Sequence, residues 1–140
     1  MGADIKAFIQ IDDNTPRNEP PFTNDPSTWD LSHDIGLAAG KHYEFYAAIS
    51  GVRNQSGREP LYPCRGLPRS GCELPDSLKE LAGDFNVGWL TLSEIHAALH
   101  HMNVAIDDLN SSVLLVLRTM ASAELMYGKD RVRLVFQIYD

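Results

Sequence analysis

Arg53, Asn54, Arg58 and Arg65 fall between Phe45 and Pro68, in "FYAAISGVRNQSGREPLYPCRGLP". Glycines and prolines punctuate that stretch, and the prolines on either side of Arg65-Gly66 stiffen the backbone there. A guanidinium held in place can grip a carboxylate or phosphate with two parallel hydrogen bonds. Arg53 and Arg65 therefore suit either of two tasks. They can staple the loop to the core by pairing with carboxylates beneath it, or they can clamp an anionic ligand. Asp4 and Glu124 are the carboxylates the pattern offers. On a helical wheel Glu124 falls between Met120 and Tyr127, inside an apolar sector. A carboxylate there must find a cation, reach water or take up a proton. Asp4, Arg53, Asn54, Arg65 and Glu124 are the candidate polar cluster, read first as a staple and second as an anion site.

Two other groups invite chemistry. His96 and His100 stand four apart, with His101 adjacent. Neutral imidazoles at that spacing can share a metal. The intervening Glu of the zincin motif is missing and no third ligand is close in sequence. They read as surface histidines of an amphipathic helix, and no metal or cofactor is expected. Cys64 and Cys72 have neither CxxC nor zinc-ribbon spacing, so they read as free thiols.

The elements that position these residues follow from periodicity. Asp4 to Asp12 alternates, with Ile5, Ala7, Ile9 and Ile11 on one parity, and predicts a half-buried strand. Residues 13–39 are rich in Pro, Asn and Asp and predict a long loop. Lys41 to Ser50 predicts a helix ended by Gly51. Pro75 and Gly83 bracket a short helix. Thr91 with Glu94 makes a capping box, and Leu92, Ile95, Leu99 and Met102 form the buried stripe behind it. Asp107 or Asp108 is expected to cap a further helix running to Gly128. It is apolar on nearly every side and is expected to be the central one. Val132, Leu134, Phe136 and Ile138 alternate in a second strand.

Bulk properties set the class. The chain has 140 residues and a formal charge of −7, with a pI near 5.1. That length supports one ordinary domain, residues 1–140, with a core of its own. The charge disfavours nucleic acid, whose phosphates need clustered Lys and Arg. No stretch approaches the roughly 20 apolar residues of a spanning helix. "MGADIKAFIQIDD" lacks the apolar run of a signal peptide. A cytoplasmic protein without a membrane partner is the expectation.

Several short blocks occur in a fixed order: "MGADI", "YEFYAAISGVRN" at 43–54, "PCRGLP" at 63–68, "GWLTLSEI" at 88–95 and the terminal "VRLVFQIYD". The series resembles a family of phage- and prophage-encoded proteins that open Met-Gly-Cys-Asp-Ile-His. They continue with a Val-Arg-Asn turn, Pro-Arg-Gly-Leu-Pro, Ser-Trp-Leu-Thr-Leu and a final Val-Phe-Trp-Phe-Asp strand. The resemblance implies a phage or prophage origin and brings no activity with it. Ala3 and Lys6 replace the family's Cys and His, and "DFNVG" replaces its His-rich approach to the Trp block. Thiol or imidazole metal chemistry at those positions is not carried over.

The expected fold is α+β. A small sheet pairs the N- and C-terminal strands and packs on a long central helix, with two or three shorter helices around it. Phe8, Val135 and Tyr139 lie on the second sheet face and call for cover, by the 14–39 loop or by a second copy. The expected function is that of a phage or prophage accessory protein, binding a host or phage protein and self-associating. The alternative is a small enzyme or anion-binding protein using the polar cluster.

Overall fold

A computed structural model describes residues 4–11, 31–34, 43–51, 57–62, 64–65 and 87–139. The fold is α+β. Strand β1 (Asp4–Ile11) is followed by β2 (Leu31–Asp34), helix α1 (Tyr43–Ser50), β3 (Val87–Thr91), α2 (Leu92–His101), a 3-10 turn (Ile106–Asp108), α3 (Ser111–Tyr127) and β4 (Val132–Tyr139). The strands form one antiparallel sheet in the order β2-β1-β4-β3. The two strands read most clearly from alternation, β1 and β4, are its central pair, in register from Asp4 opposite Tyr139 to Ile11 opposite Val132.

That register decides the core. Ala7, Ile9 and Ile11 stand opposite Phe136, Leu134 and Val132, so each isoleucine meets a branched or aromatic residue on the helix-covered face. Leu90 of β3 continues the row beside Leu134. Helix α2 lays Leu92, Ile95, Leu99 and Met102 into this core, the stripe the sequence predicted. Thr91 caps it through the expected box: its hydroxyl accepts the Glu94 N–H while the Glu94 carboxylate accepts the Thr91 N–H.

Two helix expectations change. The enclosed helix is α1, not the long C-terminal one. Five consecutive α1 residues, Phe45 to Ile49, are buried. Gly51, at φ 81°, closes it by donating its N–H to the Ala47 carbonyl, a left-handed cap that glycine adopts without strain. Helix α3 buries only Val113, Val116, Leu117 and Met120. Leu115, Leu125 and Met126 point outward. Asp107 and Asp108 sit in the 3-10 turn, and Asn110 caps α3 by accepting the Ser112 N–H. The helix starts later because the extended Leu109, itself buried, docks before the cap.

Two strands escaped the sequence reading. β2 lies inside the 13–39 stretch expected to be loop, and it pairs with β1 through its backbone. "LSHD" carries one apolar residue, too few for a periodic signal. β3 was hidden by the helix signal starting at its last residue. The 74–83 helix lies outside the described residues.

The second sheet face is covered at Phe8 and Val135. Phe8 and Val135 are 5% and 0% exposed within the single chain and pack with Val87 and Trp89. The side chain of Tyr139 is outside the described residues.

Candidate functional site

The sheet's β3 edge and the start of α2 make a corner, and Arg65 sits on it. Segment 64–65 runs close against β3: a Cβ added to Gly88 would lie 3.4 Å from the Arg65 nitrogen. The guanidinium crosses this edge to Glu94. Its Nη1 donates to Glu94 Oε1 at 3.0 Å and its Nη2 to Oε2. The planar cation also lies 4.5 Å from the Trp89 ring centre and 5.1 Å from that of Tyr62, within cation–π range of both.

Glu94 is thus shared between two tasks. Its Oε1 also accepts the Thr91 N–H at 3.0 Å, completing the helix cap. Burial pushes the Glu94 carboxyl up. The Arg65 hydrogen bond, the Thr91 N–H, the Arg65 charge and the Thr91 hydroxyl outweigh it and hold the group below its ordinary 4.5. Hydrogen bonds to the charged form decide the direction.

A second arginine reaches the same indole. Arg133, 2% exposed, places its guanidinium 5.4 Å from the Trp89 ring centre and donates from Nε to Gln10 Oε1 at 2.7 Å. In register, Gln10, Arg133 and Thr91 form one row across β1, β4 and β3. A polar row therefore crosses the face that also holds Phe8 and Val135.

A concavity of about 400 Å³ opens at the corner, lined by Arg65, Trp89, Thr91, Ser93, Glu94 and Asp130. Ser93 donates to Asp130 Oδ1 at 3.4 Å. Asp130 is left-handed at φ 64° and donates its N–H to Glu124 Oε2 at 2.9 Å. Arg65 spends its fork on Glu94, so the hollow offers the carboxylate of Asp130 and two hydroxyls. It suits a ligand that brings N–H or O–H groups better than an anion.

Of the predicted cluster, the side chains of Arg65 and Glu124 lie among the described residues. Arg65 is at the corner. Glu124 is half-buried at the end of α3, and its partner is the Asp130 backbone. Arg65 pairs with Glu94, not with Glu124, which is one of the two carboxylates offered by the sequence. Glu94 is nearer because the capping box fixes it beside the β3 edge. Asp4 lies in β1 with its side chain outside the described residues, as are Arg53 and Asn54. Trp89, Glu94, Asp130 and Arg133 were missed as site residues. The one available signal was the capping box, which already fixed where the Glu94 carboxylate points.

The remaining candidates are peripheral. His96 and His100 are exposed. His101 holds the 58–59 segment: its Nε2 is 2.8 Å from the Glu59 carbonyl, and its own carbonyl accepts from Arg58 at 2.7 Å. No group of three or more metal-ligating side chains occurs among the described residues. Cys64 is a free, half-buried thiol, and burial pushes its pKa up. Among the described residues no helix is long and apolar enough to cross a membrane. No family model, no curated protein and no solved structure matches the chain.

Proposed function

We propose that the chain acts by binding protein, with the outer face of α3 as its contact surface. One observation carries this reading. Leu125, Met126 and Leu115 are 90%, 78% and 66% exposed on a single helix. Scattered exposed apolar residues need no explanation, but a helix that presents three large ones on the side away from its buried residues resembles a docking face. The setting of a phage or prophage accessory protein, with a host or phage protein as partner, rests on the likeness of the short sequence blocks. The test compares the parent with a Leu115→Glu/Leu125→Glu variant. The variant should keep the parent's far-UV spectrum and lose the protein that the parent binds in stoichiometric amount. Equal binding by both chains would remove α3 from the contact.

The corner hollow favours a second reading, a small-ligand site. There the ligand would donate hydrogen bonds to Asp130, Ser93 and Thr91 and lie against Trp89. A ligand screen read by Trp89 fluorescence checks it. A response abolished by Asp130→Asn but unaffected by Leu125→Glu would move this reading ahead.

A further inference from the structure

We infer that the outer face of α3 is filled by the same face of a second copy, the two helices lying antiparallel. The inference rests on the protein-binding reading and names its partner. Ser111, Leu115, Arg118, Ser122 and Leu125 are all exposed and follow one another at spacings of four, three, four and three. That is the spacing of a coiled-coil seam, with leucine at two of its five positions, on the side of α3 away from Val113, Val116, Leu117 and Met120.

An antiparallel pair centred on Met120 is self-complementary. Leu115 of one chain meets Leu125 of the other, twice. Arg118 meets Ser122, so no two guanidiniums are opposed, and Ala121 beside Ser122 permits close approach. The ends match in charge as well. Asp107 and Asp108, both exposed, precede the seam, and exposed Lys129 follows it. Antiparallel packing brings the acidic end of one helix toward the Lys129 of the other, at both ends of the contact. The two helix dipoles are then also opposed favourably.

Charge favours a contact through this face. Two copies each carry −7, so their net charges repel. Glu124 is the single carboxylate of α3, and it is turned to the Asp130 N–H. The seam brings no carboxylates together. A C2 contact of this kind uses one patch on both subunits, the commonest way for a single chain to close an assembly.

Sedimentation equilibrium tests the inference directly. The parent is expected to approach twice its 15.6 kDa chain mass at micromolar concentration. Leu125→Glu should weaken association about tenfold or more. Lys129→Glu should weaken it too, and adding Asp107→Lys and Asp108→Lys to that chain should restore it. Orientation is read by cross-linking. Leu115→Cys/Leu125→Cys, in a Cys64→Ser/Cys72→Ser background, should oxidise to a covalent dimer. Within one helix the two sites are about 15 Å apart, too far for a disulfide. A parent that stays monomeric at every concentration overturns the inference. So does a dimer indifferent to Leu125→Glu, or one that fails to cross-link. A monomeric parent that still loses a different protein partner on Leu125→Glu would leave the protein-binding reading standing and remove only the second copy.

Discussion

Arg65 shows how one side chain joins three parts of the chain. Its fork holds Glu94 and its faces meet Trp89 and Tyr62. The ion pair is mostly sheltered, with 26% and 22% of the two side chains exposed. Its energy should exceed that of a surface pair and fall short of a fully buried one. Arg65→Ala and Glu94→Gln should each cost about 1–3 kcal/mol, with clear coupling in a double-mutant cycle followed by urea denaturation. Additive losses would show that the pair contributes nothing as a pair. Acid titration gives an independent check. The folded chain holds Glu94 below the ordinary 4.5, so the unfolded chain binds its proton more readily. The contribution is complete above about pH 4.5 and is lost as pH falls through the lower, folded-state value. Melting temperatures of the parent should therefore drop over that acid range by more than those of Glu94→Gln.

At the scale of elements, the β3 edge depends on a missing side chain. A Cβ at position 88 would approach Phe136 Cζ to 3.0 Å and the Arg65 backbone nitrogen to 3.4 Å. Gly88→Ala should destabilise by about 1–3 kcal/mol, as overpacking does. Its unfolding midpoint in urea measures this, and a gain in stability would mean that segment 64–65 yields easily. The two contrasting helices make a second comparison. Phe45→Ala, in the enclosed α1, should cost about 3–5 kcal/mol. Leu125→Ala, on the open face of α3, should stay within about 0.5 kcal/mol in dilute solution. Similar losses from both would put Leu125 in a core of its own.

For the whole molecule, the pairing of β1 with β4 is the contact that holds the rest. It joins strands separated by most of the chain, and both β2 and β3 attach to it. Helix α3 packs on both β1 and β4. Removing residues 131–140 would strip Val132, Leu134, Phe136 and Ile138 from the main core and leave β1 and β3 without their shared neighbour. Such a chain should show no cooperative urea transition by circular dichroism. A sharp transition with an unchanged slope would mean that the helices form a core without β4.

The sequence by itself determined the two central strands, the α2 stripe with its capping box, and the Gly51 stop. Each is a local pattern of period two or period 3.6, or a cap whose partners lie within four residues. It also placed Arg65 outside any helix or strand and the histidines on an amphipathic helix. The tertiary structure decided which carboxylate Arg65 meets, because Glu94 and Arg65 are brought together only when segment 64–65 crosses the β3 edge. It decided that α1 is enclosed and α3 is open, which depends on how many neighbours surround a helix and not on how apolar the helix is. It decided that "LSHD" is a strand, since an edge strand needs a neighbour's backbone more than a side-chain pattern. And it put Trp89 between Arg65 and Arg133, three residues whose meeting depends on the register of β3 against β4.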